Sequence, residues 1–177
     1  MLDNEGGDNE KEVAMKLTPK IETLLNRQLN CEYAASHAYL GMSAIFESDA
    51  YTGFGAWMRR QSAEEHTHMM KFYQYILDRG GEVKLSDIAA TKVVDRSVLG
   101  LVTLALKHEQ QVTANIYALV TASQKAGDYA TVNFLQWFLE EQVEEEATMS
   151  ELIQNVSRVA NDEAALMIID NKMADKA

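Results

Sequence analysis

The near absence of helix breakers is the feature that most constrains this chain. Pro19 is the one proline among 177 residues, which also include nine glycines. Proline lacks an amide hydrogen and clashes with the preceding helical turn, so the long proline-free stretch after Pro19 can form uninterrupted helices. Apolar residues make up 47% of the chain, and they recur at the three- and four-residue spacing of an amphipathic helix. The sequence therefore predicts an all-α protein.

This spacing divides the chain into four long helices and one short C-terminal helix. With approximate ends, the predicted helices run over residues 19–46, 50–77, 96–125, 129–159 and 163–173. Residues that can cap a helix N-terminus precede four of them, namely Thr18, Asp95, Asp128 and Asp162. Gly80 or Gly81 can adopt the left-handed conformation that ends the second helix.

The lengths of the connections predict the topology. Helices one and two are joined by a few residues, as are helices three and four, so each pair should form an antiparallel hairpin. Between helices two and three lie about 16 residues, which reach roughly 53 Å when extended. A helix of about 28 residues is only about 42 Å long. The prediction is a four-helix bundle with one long crossover, formed by residues 17–177 as a single domain after an acidic, disordered tail at 1–16.

Charge and cysteine content narrow the possible partners and location. The net charge of −11 argues against binding to nucleic acid or to an anionic membrane surface. Cys31 is the one cysteine, so neither an intramolecular disulfide nor a CxxC metal site can form. No apolar run approaches the roughly 18 residues of a membrane span, and the acidic start resembles no secretory or transit signal. A cytoplasmic location is therefore expected.

An acidic residue interrupts the apolar stripe of each long helix near its middle. At about 100° per residue, the stripe centres are occupied by Glu32, Glu65, Glu109 and Glu145. His68 lies at the border of the second stripe, and Gln142 and Glu141 flank Glu145 in the fourth. Because all four acids are near mid-helix, they can meet at one level of the bundle.

Buried carboxylates are costly unless they are protonated or paired. No lysine or arginine falls in any stripe, and one imidazolium cannot neutralise four acids, whereas a pair of bound metal ions can. A single such acid usually marks a stripe edge, but four at matching depth favour a metal site. Glu65 and His68 lie one turn apart and can bind the same ion. Carboxylates with an imidazole suit iron or manganese and can also hold zinc.

The other histidines and two further acids point away from the stripes. We expect these side chains on the surface: His37, His66, His108, Glu140 and Glu146. Trp137 is expected to have a packing role.

Several segments, taken together, resemble those of ferritins, most closely the bacterial non-haem ferritins. They are NRQLNCEYAASHAYLGMSA, MRRQSAEEHTHM, LKHEQQVT, DYATVNFLQWFLEEQVEEE and IIDNK. The resemblance extends from about residue 17 to 172, and the Glu-x-x-His pair is itself a known feature of ferritin-like di-iron bundles.

The resemblance implies a two-iron centre within each subunit. The first iron would be bound by Glu32, Glu65 and His68. The second would share Glu65 as a bridge and use Glu109, with Gln142 nearby. Tyr39 matches the tyrosine beside the ferritin centre.

The resemblance also implies a third, more open iron site next to this pair. Its matching residues are Glu64, Glu141, Glu144 and Glu145, although Glu64 and Glu144 fall about 100° or more off the stripes. The fourth helix reads EEQVEEE and carries no second Glu-x-x-His, so the centre should be asymmetric. His66 stands where bacterioferritins have their haem-binding methionine, so no haem is expected.

The implied activity is oxidation of Fe(II) by dioxygen or hydrogen peroxide, followed by storage of the ferric mineral. The short fifth helix would pack against symmetry mates in a hollow shell of about 24 chains. Two alternatives remain open. The four acids could serve a di-iron oxidase or peroxide-scavenging bundle that stores no iron, or a structural metal site without turnover.

Overall fold

The computed structural model describes residues 16–175, which form five helices and no strand. They are α1 (Pro19–Ser48), α2 (Thr52–Asp78), α3 (Val98–Lys125), α4 (Tyr129–Val159) and α5 (Glu163–Asp175). The predicted all-α class and five-helix order are confirmed. Residues 1–15 lie outside the described part of the chain, so the tail prediction and the domain boundary stay predictions.

Three of the four predicted N-caps are confirmed by their hydrogen bonds. The side chain of Thr18 accepts from the amide of Ile21 at 3.4 Å, directly before Pro19. The Asp128 carboxylate accepts from Thr131 and the Asp162 carboxylate from Ala165, each at 3.1 Å. Each cap satisfies an amide of the first turn that has no partner within the helix.

The predicted cap of α3 was wrong. The hydroxyl of Ser97 accepts from the amide of Gly100 at 3.0 Å, so Ser97 is the N-cap. Asp95 instead accepts from the amide of Ser97 at 2.9 Å. Both residue types are good caps, and the Asp95 carboxylate stabilises a local turn that delays the start of the helix by two residues.

The crossover between α2 and α3 is attached to α1 by two asparagines one turn apart. The amide nitrogen of Asn26 donates to the carbonyl of Glu82 at 2.9 Å, and its oxygen accepts from the amide of Lys84 at 2.6 Å. Asn30 repeats the pattern with the carbonyl of Lys84 and the amide of Ser86, both at 2.8 Å. These contacts satisfy crossover backbone groups and fix its path along the helix.

Farther along, the crossover reaches the opposite end of α1. Residues 90–93 lie beside Met42 and Ile45, and Arg96 is 3.9 Å from the carboxylate of Asp49. The start of α3 is therefore next to the end of α1. The predicted long crossover is confirmed, and α1 pairs with α2 as α3 pairs with α4.

Two apolar clusters fill the bundle, with a polar layer between them. One cluster includes Ala35, Tyr39, Met58, Ala105 and Met149. The other includes Leu29, Met69, Val112 and Phe138. On all four helices the chain passes from one cluster to the other within about three turns. The buried polar residues in that interval include Glu32, Gln61, Ser62, Glu65, His68, Glu109 and Gln142.

The short helix α5 packs against α2 and α4. The carboxylate of Asp170 accepts from the amide of Phe54 at 2.8 Å, in the first turn of α2. Gly53 allows this approach, since a Cβ there would overlap the carbonyl oxygen of Asp170. Arg60 donates to the carbonyl of Met173 at 3.1 Å. No helix within the described residues is both long and apolar enough to cross a membrane.

Candidate metal centre

The first group of predicted ligands is brought together by the packing of α1 on α2. Ligand atoms of Glu32, Glu65 and His68 all lie within 4.8 Å of one another. The three side chains are buried, with exposed fractions of 0%, 3% and 5%. Glu65 Oε2 is 3.6 Å from His68 Nδ1, which is too long for a hydrogen bond. The arrangement leaves room for a shared cation.

A pair of serines sets the approach of α1 and α2 beside these ligands. The Ser36 hydroxyl donates to the carbonyl of Ser62 at 2.7 Å, and the Ser62 hydroxyl donates to the carbonyl of Ser36 at 2.8 Å. Small side chains allow the helices to approach closely, and the reciprocal bonds hold them in register. Ser36 is one turn after Glu32 and Ser62 one turn before Glu65, so the contact aligns both glutamates.

The second half of the centre is built from α1, α3 and α4 around Glu109, which is fully buried. The Tyr39 hydroxyl donates to Glu109 Oε1. Gln142 Nε2 donates to Glu109 Oε2 at 3.1 Å. Gln142 Oε1 is in turn 2.7 Å from the Thr113 hydroxyl, which also lies 2.6 Å from Glu146. In this arrangement Gln142 acts as a hydrogen-bond donor to Glu109, and its role as an iron ligand stays a prediction.

Burial raises the pKa values of the clustered carboxyl groups. The pKa of Glu32 is raised well above 4.5, first by burial and then by the charge of Glu65. That of Glu65 is raised well above 4.5 by burial and by Glu109, and burial also raises the pKa of Glu109. Burial and then Glu109 raise the pKa of Glu145 to about 7. Without a cation, these groups therefore hold protons toward neutral pH.

Two of these carboxylates each have an unsatisfied oxygen. When both groups are ionised, as in a cation-bound state, Glu32 Oε2 and Glu65 Oε2 are buried and have no hydrogen-bond donor among the described residues; a proton on either group would instead be shared between the two. An unpaired buried carboxylate oxygen is costly, and a bound cation would satisfy both at once. Hard oxygen donors with one imidazole nitrogen suit Fe(II). The residues present therefore fit the ion that the sequence predicted.

The His68 ring is held by aromatic contacts from α4. Trp137 meets it edge to face at a centroid distance of 5.2 Å, and Phe138 does so at 6.1 Å. The ammonium of Lys71 lies over the Trp137 ring, 2.8 Å from its centroid. Trp137 packs against the imidazole and restricts its orientation, and an exclusive packing role for it stays a prediction.

The predicted third-site residues lie at the edge of the centre and are less buried. Glu141 and Glu145 are half-buried on α4, whereas Glu64 and Glu144 are exposed. The Gln61 amide donates to Glu64. The negative charges of Glu109, Glu64 and Glu141 all contribute to the raised pKa of Glu145, so these acids share one electrostatic environment. Assignment of a third iron to them stays a prediction.

Three predictions about burial were wrong. Glu145 was placed at the centre of the fourth stripe, but Gln142 is the buried residue there and Glu145 is half-buried. Glu146 was expected on the surface, but it is half-buried beside Thr113. His108 is half-buried as well, and burial lowers its pKa. All three lie near the edges of α3 and α4 faces, where the exact helix rotation decides exposure.

The chain is similar in sequence to known ferritins over most of its length. Residues 22–159 match the family model described as the ferritin-like domain. A bacterial non-heme ferritin of Staphylococcus aureus is 37% identical over 160 residues, covering 90% of this chain and 96% of the relative. A bacterial non-heme ferritin of Staphylococcus haemolyticus is 40% identical over 153 residues, covering 86% and 92%.

Solved structures show the same likeness in three dimensions. An open-pore ferritin from the hyperthermophilic archaeon Archaeoglobus fulgidus superposes with a TM-score of 0.88 at 36% identity. The match covers 91% of this chain and 98% of that one. A closed form of the Archaeoglobus fulgidus ferritin, engineered by site-directed mutagenesis, gives a TM-score of 0.87 at 36% identity and covers 90% and 97%.

Proposed function

Because this chain belongs to the ferritin family, we propose that it is an iron-storage ferritin that oxidises Fe(II) at a buried centre in each subunit. The observation that carries the proposal is the convergence of Glu32, Glu65 and His68 within 4.8 Å. Two unpartnered carboxylate oxygens belong to this group. Fe(II) is the substrate, dioxygen or hydrogen peroxide is the oxidant, and ferric mineral is the product.

The ligand set assigns different surroundings to two iron ions. The first ion would bind Glu32, Glu65 and His68, and the second would share Glu65 and bind Glu109. Carboxylates can bridge two cations about 3.5–4 Å apart and neutralise their charge. Only the first ion gains an imidazole nitrogen, so the two ions should differ in affinity. Because the carboxyl pKa values are raised, iron binding should release protons.

Tyr39 and Gln142 would orient Glu109 for the second ion. Each donates to a different oxygen of that carboxylate. A carboxylate oxygen has two lone-pair sites, so each oxygen can keep its donor and still face a cation. Burial and the charge of Glu109 raise the pKa of Tyr39 well above 10. At neutral pH the tyrosine therefore acts as a phenol that donates a hydrogen bond.

A third ion would bind at the half-open cluster of Glu64, Glu141, Glu144 and Glu145. Glu145 would link this cluster to the buried pair, because the charge of Glu109 contributes to its raised pKa. Partial exposure should make binding weaker and exchange faster than at the buried pair. The cluster would then pass iron between the centre and the mineral.

Storage requires a closed assembly, and α5 supports one. Met167 and Ile168 on this helix are 56% and 59% exposed in the single subunit. Neighbouring apolar side chains of this kind favour burial against another chain. We therefore propose a homo-oligomeric shell of about 24 subunits, built with closed symmetry. This feature favours storage over a bundle that oxidises iron without storing it.

Oxygen consumption and particle mass test this proposal together. Metal-free protein should consume oxygen rapidly when Fe(II) is added in air, and the particle should gain mass as mineral accumulates. Glu65→Ala should lose the rapid phase because both ions lose a ligand. Glu140→Ala, which removes an exposed acid from α4, is the matched control and should behave as the parent.

Two results would contradict the proposal. A parent protein that stays a monomer or dimer at micromolar concentration would rule out storage in a shell. Oxidation of Fe(II) by Glu65→Ala at the parent rate would rule out the buried centre as the site of oxidation.

A further inference from the structure

A buried glutamine lies one helical turn before Glu32. Gln28 is 1% exposed, and its Nε2 donates to Glu32 Oε1 at 2.7 Å. Both residues belong to α1, so the contact joins positions i and i+4 on one face. Glu32 itself is fully buried, so the bond is shielded from water.

The chemistry of the two side chains determines the orientation of the amide. With Nε2 toward the ionised Glu32 carboxylate, the form that binds a cation, a donor faces an acceptor, whereas the reverse orientation would bring two acceptor oxygens together. The consequence is that Gln28 Oε1 has no hydrogen-bond partner among the described residues although it is buried. A buried unpaired carbonyl costs about 1–3 kcal/mol. An apolar side chain of similar size would avoid this cost, so packing alone does not account for a glutamine here.

The bond also makes the two oxygens of Glu32 unequal. Oε1 accepts from Gln28, and Oε2 has no partner. A hydrogen bond at one oxygen restricts rotation of the carboxylate about its last torsion, which is otherwise broad. The free oxygen is then held in a defined direction within the group formed with Glu65 and His68.

We propose that Gln28 is a positioning residue of the iron centre, which holds Glu32 so that Oε2 is presented to the first iron. This inference rests on the proposed function, since it assigns a role in the same centre. Hydrogen-bond partners of metal ligands typically change metal affinity or activity by 10–100-fold when removed. Gln28 touches neither iron nor oxidant in this proposal and acts through Glu32 alone.

The test uses Gln28→Met and Gln28→Asn in the full-length assembled protein. Methionine keeps the length and flexibility of the side chain without the donor. Asparagine keeps the amide, but it is one methylene too short to maintain the 2.7 Å contact. Ser43→Ala is the control, because Ser43 is also buried on α1 and its hydroxyl donates to the carbonyl of Gly55 at 2.7 Å. That substitution removes a buried hydrogen bond of the same helix away from the ligands.

Three measurements separate positioning from general destabilisation. Metal-free proteins are titrated with Co(II), whose visible absorption reports the coordination of each ion. Steady-state oxidation at increasing Fe(II) concentration separates KM from kcat, and melting in EDTA reports stability. Both Gln28 variants should bind the first Co(II) about 10-fold more weakly, with an altered spectrum and a raised KM. Ser43→Ala should lower the melting temperature only.

Parent-like Co(II) affinity and spectrum in either Gln28 variant would overturn the positioning role. An equal loss of Co(II) affinity in Ser43→Ala would also overturn it, because the effect would then come from α1 as a whole. The parent protein tests the proposed function separately. If the parent neither bound two Co(II) ions per subunit nor oxidised Fe(II), the proposed function itself would fail. If Gln28→Met does not fold, Gln28→Asn decides the question by the same criteria.

Discussion

Glu65→Ala should have opposite effects on stability in the absence and presence of metal. Glu65 is 3% exposed and its pKa is raised well above 4.5, first by burial and then by the charge of Glu109. It is also the expected bridge between the two ions. The same side chain should therefore destabilise the metal-free fold and stabilise the metal-bound one.

In the metal-free protein, the loss of packing and the relief of charge nearly cancel. Truncation to alanine removes about one buried methylene, which contributes about 0.8 kcal/mol, and leaves a small cavity. That cavity is lined by polar groups, so a water molecule can fill it. Against this, a raised carboxyl pKa destabilises the fold by about 1.4 kcal/mol per pKa unit. Only the part of the increase that lies below the pH of the assay counts. The metal-free variant should match the parent within about 1 kcal/mol or exceed it.

With Zn(II), a divalent ion without redox chemistry, the order should reverse. A ligand at 100 times its dissociation constant stabilises the native state by about 2.7 kcal/mol per site. For a chain of this size, each kcal/mol shifts the melting temperature by about 2–4 °C. The parent should therefore gain at least about 5 °C, and Glu65→Ala should gain much less because both sites lose a ligand.

Thermal melting of parent, Glu65→Ala and the exposed control Glu140→Ala, each in EDTA and in excess Zn(II), provides the test. The control should follow the parent in both conditions. The reasoning would be refuted if Glu65→Ala gained as many degrees from Zn(II) as the parent. It would also be refuted if the metal-free variant were less stable by more than about 3 kcal/mol, the range of an ordinary core truncation.

The remaining predictions concern the other ligands, pH and α5. Replacing Glu141 and Glu144 together with alanine should leave two tightly bound ions per subunit and the first fast oxidation intact, while slowing later turnovers in stopped-flow measurements. His68→Ala should weaken one of two Zn(II) sites in calorimetry by more than the 10–100-fold typical of an indirect partner. The raised pKa of Glu145, about 7 against 4.5, contributes stability below pH 4.5 that is lost as pH rises through 7. Measured by melting in EDTA, the decrease in stability across this range should therefore be smaller in Glu145→Gln than in the parent, by up to about 3 kcal/mol. Gly53→Ala should cost about 1–3 kcal/mol through overlap with α5 and reduce the shell fraction in light scattering.

Sequence alone was sufficient to predict the helices and the position of the candidate metal centre along them. Helical periodicity and end caps are local properties, so all five helices were placed within about two residues. Glu32, Glu65 and Glu109 were identified because a charge inside an apolar stripe is visible in one helix at a time. Their common level in the bundle was predicted because each lies near the middle of its helix.

The tertiary structure decided which atoms meet. A helical projection gives the direction of a side chain, but not its distance from another helix or the orientation of its polar atoms. The Ser36–Ser62 contact and the Thr113–Gln142 bond join residues 26 and 29 positions apart in the chain, so no local pattern could predict them. Whether Gln142 or Glu145 is the buried residue of α4 depends on a rotation of that helix about its axis by less than the roughly 100° that separates successive residues. Packing of the other helices likewise decides whether any donor reaches the second oxygen of Glu32 or of Glu65.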